Sequence, residues 1–310
     1  MNRDPGASNS SPQPRYLGRF APSPTGPLHF GSLVTALASY LEARRHHGGW
    51  QLRIENIDPP REMPGAIDRI LHALELFGFE WTGPVVYQST RLEAYQEALM
   101  RLEQAGRAYP CACTRREVRQ SAREGLDGPV YPGTCRAGLP AGREGRSIRV
   151  RTDGAEIEFA DRFQGALAID LEQDMGDFVV LRADGHVAYH LASAMDDGAQ
   201  EITHVVRGVD LLYSTPRHIH LMKLLGLQVP EYAHLPVVLN RQGQKLSKQT
   251  GARELDPDRP VAQLHTALVA LGQRPPAKLK RARLQELWQW AEAHWDPAIL
   301  TGVRELQLPE

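Results

Sequence analysis

The sequence predicts an α/β protein built on a doubly wound parallel sheet. Short apolar strands alternate with amphipathic helices over residues 16–102. A turn rich in Gly and Pro joins the first strand to the first helix, the junction at which such sheets bind ligands. The alternation then gives way to a block rich in Cys, Arg and Gly and resumes after it, so a second unit interrupts the sheet.

Residues 16–20 read as a buried strand, followed by the turn 21–26. A helix begins near Phe30, with Leu33, Leu37 and Leu41 on one face, and Gly48-Gly49 stops it. Residues 52–54 form a second strand, ending in Glu55-Asn56-Ile57-Asp58 and the breaker Pro59-Pro60. A helix carrying Ile67, Ile70, Leu71 and Leu74 closes at Gly78. Residues 85–87 make a third strand and 92–102 another amphipathic helix. Within the interrupting block, Thr114-Arg-Arg-Glu117 is a capping box that starts a short helix. Residues 147–191 are strand-like, with a hairpin turn at Ala183-Asp-Gly-His186. Residues 202–206 return to a buried strand, 211–225 to a helix and 236–239 to a strand, and a final helical segment lies between Leu264 and Trp295.

The implied division is a disordered tail over 1–14, the two halves of a catalytic domain over 15–108 and 191–250, an inserted α+β subdomain over 109–190 and a short helical segment over 251–310. The tail is rich in Ser, Pro and Asn with no apolar stretch, unlike a secretory signal.

Apolar residues make up 42% and charged residues 24% of the 310, an ordinary globular balance. No run approaches the ~20 apolar residues that span a bilayer, so no membrane partner is expected. A net charge of −1 leaves nucleic acid open, because the distribution of charge decides that question. The three cysteines, Cys111, Cys113 and Cys135, are odd in number in a chain with no export signal, which points to a reducing, cytoplasmic setting. Their clustering in so long a chain points to a shared metal. A structural zinc takes four tetrahedral ligands. No histidine lies between His72 and His186, so the fourth is not a local His. Tyr131 is the best local candidate, with Glu124 and Asp127 as alternatives; a tyrosinate must lose its proton near neutral pH.

The turn Arg19-Phe-Ala-Pro-Ser-Pro-Thr-Gly26 leads through Leu28-His29-Phe30-Gly31-Ser32 into the first helix. Helix N-terminal amides favour phosphate, and Gly26 and Gly31 let backbone come close to a nucleotide. The second stretch resembles the ATP-binding HIGH signature of class I aminoacyl-tRNA synthetases, and the first is similar to their glutamyl branch. Ser32 stands where the signature ends in His, so no role is carried onto it. Leu52-Arg-Ile-Glu-Asn-Ile-Asp58 resembles the branch's next motif, with Asn56 where Asp is more usual. Lys245-Leu-Ser-Lys-Gln249 resembles the class's KMSKS signature.

The resemblance implies a Rossmann-type catalytic domain using ATP with Mg²⁺. It implies His29, Lys245 and Lys248 as catalytic residues, with His29, Gly31 and Lys248 on ATP. It also implies Arg19, Ala21, Ser23, Glu55, Tyr189 and Arg207 for an L-glutamate pocket. The residue types suit that chemistry. Attack of a carboxylate on the α-phosphate of ATP needs donors and positive charge where pyrophosphate leaves. Glu55 suits an α-ammonium, the two arginines suit two carboxylates, and Tyr189 adds a hydroxyl. Arg207, ending a buried strand, favours glutamate over the neutral amide of glutamine; the alternative is an ion pair with Asp210, Glu201 or another structural acid.

The residues after Lys248, 249–310, cannot hold the anticodon-binding region of a full glutamyl-tRNA synthetase. With the Cys-x-Cys…Tyr…Cys pattern, this makes the chain similar to the glutamyl-Q tRNA(Asp) synthetases over about residues 15–250. That resemblance implies one structural zinc per chain, held by Cys111, Cys113, Tyr131 and Cys135. It implies tRNA-independent activation of glutamate, transfer to queuosine in the anticodon of tRNA(Asp), and a monomer. The alternatives are a compact glutamyl-tRNA synthetase charging the 3′ end, a small-carboxylate adenylyltransferase, and a non-catalytic paralogue.

Overall fold

The computed structural model describes residues 16–239 and 254–307. The expected tail and both Lys245 and Lys248 lie outside them. The first elements are β1 (Leu17–Phe20), α1 (Phe30–Arg45), β2 (Gly49–Ile54), α2 (Ala66–Leu76), β3 (Val86–Tyr87) and α3 (Leu92–Gln104). β1, β2 and β3 are parallel neighbours in that order. Gly48 makes the return from α1 to β2. A Cβ there would lie 2.3 Å from the Tyr16 carbonyl oxygen, so no larger residue fits.

The middle block contributes β4 (Ala108–Cys111), α4 (Arg115–Ser121), β5 (Arg123–Gly125), β6 (Gly128–Val130), β7 (Ser147–Val150), β8 (Glu156–Asp161), β9 (Gly165–Asp170), α5 (Leu171–Asp174) and β10 (Phe178–Leu181). β7 sits between β10 and β4 in an antiparallel sheet, and β5 and β6 form a hairpin. The capping box forms: the Glu117 N–H donates to Thr114 Oγ1 at 3.2 Å, and the Thr114 N–H donates to the Glu117 carboxylate at 2.6 Å.

The chain continues through α6 (Tyr189–Ala199), β11 (His204–Gly208), α7 (Thr215–Leu225), β12 (Glu231–Leu235), β13 (Val237–Leu239), α8 (Pro260–Ala270), α9 (Leu284–His294) and β14 (Glu305–Gln307). β11 pairs with β12 in parallel, β12 with β8, and β8 with β9. The hairpin β8–β9, though it falls within the middle block, therefore extends the second parallel sheet. The two parallel sheets meet where the Thr203 N–H donates to the Leu17 carbonyl at 3.0 Å. From that junction the chain builds outward both ways, β1 to β2 and β11 to β12. This is a topological switch point, and the crevice at its strand carboxyl ends is the ligand site of doubly wound sheets.

α1 is buried almost continuously from Leu33 to Ala43, its mostly apolar residues enclosing the buried Ser39 and Glu42. α8 and α9 cover its outer face. The Trp295 Nε1–H donates to Glu42 at 2.6 Å, and Arg44 pairs with Glu292 at 2.8 Å. β14 lies parallel to β13, with Gln307 opposite Leu239.

Three sequence expectations change. The turn at 183–186 forms, with the Arg182 N–H donating to the His186 carbonyl at 2.9 Å. The strand-like reading through Leu191 fails, because Tyr189 opens α6, whose Leu191, Ala192 and Ala194 pack in the core with Leu221 and Met222 of α7. The helix read over 211–225 begins at Thr215, preceded by a 3₁₀ segment, Val209–Ser214, and Pro216 occupies its first turn. The final helical segment is two helices, because Gly272 adopts φ +73° and Pro275-Pro276 follow it.

Candidate active site and metal centre

A cleft of about 830 Å³ opens at the switch point. The β1–α1 turn forms one wall, Glu55 at the end of β2 another, and Tyr189 of α6 with Arg207 of β11 the back. Arg19, Ala21, Ser23, His29, Gly31, Glu55, Tyr189 and Arg207 all line it. The turn is pinned by main-chain bonds: the Glu55 N–H donates to the Pro22 carbonyl and the Met63 N–H to the Pro24 carbonyl. Asn56 is structural here, its side chain bridging to Ser89 through both its amide and its carbonyl.

His29 is the N-cap of α1. Its Nδ1 accepts from the Ser32 N–H at 3.3 Å. A neutral imidazole accepting at Nδ1 carries its proton on Nε2, so Nε2–H is a donor at a helix N-terminus.

Arg19 and Arg53 share a buried acid. Arg19 Nε lies 3.2 Å and Arg53 3.5 Å or less from carboxylates, both arginines meeting Asp197 Oδ1 and Arg53 also reaching Glu55. Burial opposes ionisation of Asp197, but the two guanidinium groups hold its carboxyl below the usual value. Glu55 is different: burial pushes its carboxyl up against the pull of Arg53 and Arg19. A buried, partly compensated carboxylate is a receptor for an ammonium group.

Arg207 is 3% exposed. Nε donates to His234 Nε2 at 3.1 Å, and the terminal nitrogens reach Tyr189 Oη, His218 Nδ1, the Leu211 carbonyl and Thr215 Oγ1. Among the described residues no carboxylate comes within 4.0 Å of it, so the alternative of a structural ion pair with Asp210 or Glu201 does not hold.

The three thiols lie together, their sulfurs all within 4.8 Å. Cys113 and Cys135 Sγ are 3.7 Å apart, and Tyr131 Oη is 3.3 Å from Cys111 and 3.5 Å from Cys113. A tetrahedron with metal–sulfur bonds of about 2.3 Å needs donor separations of about 3.5–3.8 Å. The three thiols could hold a metal ion, and Tyr131 Oη stands beside two of them. Asp127 instead pairs with Arg217, and neither it nor Glu124 joins the cluster. Burial and the neighbouring thiols push the Tyr131 phenol up, so only a dication would draw off its proton. Arg149 donates to Cys111 at 3.3 Å and stacks over the Tyr131 ring at 3.9 Å, helping to hold that thiol below its usual value against the effect of burial.

Sequence reasoning missed Arg53, Asp197, Thr215, His218 and His234. Adjacent aspartates in the apolar run Leu191-Ala-Ser-Ala-Met-Asp-Asp197 were a usable signal. The others carry none, since only the fold brings them together.

A family model for the catalytic domain of class I tRNA synthetases (E and Q) matches residues 17–261. A glutamyl-Q tRNA(Asp) synthetase of Aromatoleum aromaticum is 55% identical over 294 residues, covering 95% of this chain and 92% of that one. One of Dechloromonas aromatica is 57% identical over 282 residues, covering 90% and 94%. A glutamate tRNA ligase of Elizabethkingia meningosepticum, solved with its amino acid, superposes with a TM-score of 0.77 at 26% identity, over 95% of this chain and 67% of that one. Fold and cleft together define a class I synthetase catalytic domain of the glutamate and glutamine type. Within that class, the chain belongs to the glutamyl-Q tRNA(Asp) synthetase family.

Proposed function

We propose that the protein activates L-glutamate with Mg²⁺-ATP, without tRNA, and transfers it to the queuosine base in the anticodon of tRNA(Asp). The observation that carries the reading is the cleft at the switch point. It gathers an acid suited to an ammonium, Glu55, two arginines suited to carboxylates, Arg19 and Arg207, and the donor His29 at a helix N-terminus. A carboxylate oxygen of glutamate attacks the α-phosphorus of ATP, and the bond to pyrophosphate breaks. His29 Nε2–H and the amides around Gly31 meet the phosphates, and Lys245 and Lys248 supply positive charge. Ala21 and Ser23 line the amino-acid subsite, and Tyr189 adds its hydroxyl. A cyclopentene hydroxyl of queuosine then attacks the glutamyl carbonyl, and AMP leaves.

Residues 15–108 and 191–250 are the halves of the catalytic domain in this reading. The block 109–190 carries one structural zinc on Cys111, Cys113, Tyr131 and Cys135, and 251–310 form a supporting helical segment. The exposed Arg115, Arg116, Arg119 and Arg123 offer positive charge to the anticodon arm. The protein acts in the cytoplasm as a monomer.

The test uses tRNA(Asp) with and without queuosine, each with and without its 3′ adenosine. Labelled glutamate should attach whenever queuosine is present, regardless of the 3′ end. Labelling that needs the adenosine and ignores queuosine would instead make the protein a compact synthetase charging the 3′ end.

A further inference from the structure

Arg207 is a permanent donor and cannot accept a hydrogen bond, so every atom it meets must be an acceptor. His234 Nε2 faces its Nε, so the His234 proton sits on Nδ1, where Asp161 accepts it at 2.5 Å. His218 Nδ1 faces a terminal nitrogen of Arg207 at 3.4 Å, so its proton sits on Nε2, directed at His190 Nδ1 at 3.2 Å. Thr215 Oγ1 accepts from Arg207 at 2.6 Å and lies 3.0 Å from His234 Nε2. Two chains of polar groups thus converge on one guanidinium: Asp161–His234 from β8 and β12, and His190–His218 from α6 and α7. Asp161, His190, His218, Thr215 and His234 line no part of the cleft. His218, His234 and Thr215 are fully buried.

This arrangement is expensive unless it serves Arg207. A buried arginine is ordinarily matched with an acid, and an acid would cancel its charge. Here the acid, Asp161, stands one imidazole away. We propose that His234 and His218, with their tautomers set by Asp161 and His190, and Thr215 form a neutral cradle that positions Arg207 while leaving its charge for the substrate, making them selectivity-determining positioning residues for an anionic side chain. The proposal rests on the reading of Arg207 as a glutamate-binding residue. It explains how the site prefers a carboxylate over an amide: an amide would leave a buried cation without a counter-charge.

Two substitutions test it by different routes. Asp161→Asn keeps an oxygen for the backbone N–H groups of Phe163, Gln164 and His234, which Asp161 Oδ1 accepts. It places an amide N–H against His234 Nδ1, which shifts the ring proton to Nε2 and sets donor against donor at Arg207. Thr215→Asp puts a carboxylate on Arg207 at the first position of α7, where an acid is tolerated; Thr215→Ser is its conservative control. In ATP–pyrophosphate exchange, both variants should raise KM for glutamate by about tenfold or more and lower the preference for glutamate over glutamine. KM for ATP should stay within about twofold and Thr215→Ser should behave as wild type. Nitrogen-15 NMR should show the His234 tautomer switched in Asp161→Asn. If Arg207→Ala raises KM for glutamate but Thr215→Asp and Asp161→Asn do not, the cradle is overturned and the pocket reading stands. If Arg207→Ala leaves KM for glutamate unchanged, the pocket reading fails and the cradle fails with it. Equal losses toward glutamate and ATP, with the tautomer unaltered, would reduce the cluster to a packing role and overturn the proposal.

Discussion

His29 does two jobs with one ring: Nδ1 caps α1, which puts the ring proton on Nε2 as a donor. Two substitutions separate them. His29→Ala should cost about 1 kcal/mol of stability through the lost cap, along with activity. His29→Asn should restore the cap and the melting temperature but not pyrophosphate exchange. Recovery of exchange in His29→Asn would remove His29 from phosphate binding. Arg207 admits a similar reading in energy. A hydrogen bond to a charged group contributes about 1.5–3 kcal/mol, so Arg207→Ala should lower kcat/KM for glutamate by roughly 10- to 150-fold, with KM for ATP little changed.

Among the elements, α6 and α7 bring a half-buried histidine, His190, and a buried one, His218, near arginines. Burial, with Arg217 and Arg207 nearby, holds His190 down at about 3, and burial holds His218 well below its usual value. His234 on β12 sits at about 4, burial outweighing Asp161. Each is neutral in the folded chain and takes up a proton near 6.5 when unfolded. The unfolded state therefore binds more protons between those values, and stability falls as pH drops below about 6.5. Urea midpoints at pH 7.5 and 5 should differ markedly, and His218→Asn should flatten the slope. An unchanged slope would mean that His218 is solvated. The cysteine cluster ties β4 to the loop around Tyr131 and Cys135. Purified protein should carry about one zinc per chain, and Cys113→Ser should lose the metal and part of the thermal stability. Metal-free protein that melts at the same temperature would sink the zinc reading. Periodicity made β1, α1, β2, α2 and α3 legible in the sequence, because each has a plain apolar face or a marked stop. It misread residues 189–191, where a short polar-apolar run fits strand and helix equally and tertiary packing decides. The front of the cleft was legible because its residues sit in one turn and at strand ends. The cluster behind it was not, since Thr215, His218 and His234 meet Arg207, and Asp161 meets His234, only through the crossing of four elements.

For the whole molecule, the hairpin β8–β9 and the C-terminal strand bind the parts into one unit. Gln164, at the hairpin turn, donates to both the His234 and Val303 carbonyls at 2.9 Å. β14 then runs beside β13, the two in parallel, so that Gln307 and Leu239 end at the same edge. Leu239 leads straight into the stretch bearing Lys245 and Lys248. The two ends of the polypeptide are therefore not equivalent places to attach a foreign domain. A bulky carrier joined beyond β14 is tethered at Gln307, beside Leu239, whereas one joined ahead of β1 is tethered at Leu17. Carboxyl-terminal fusions should show depressed pyrophosphate exchange that recovers on proteolytic release, and amino-terminal fusions should behave as the free enzyme. Equal rates from both would mean that the exit of β14 leaves room for the nucleotide, and that either end serves for immobilising the protein.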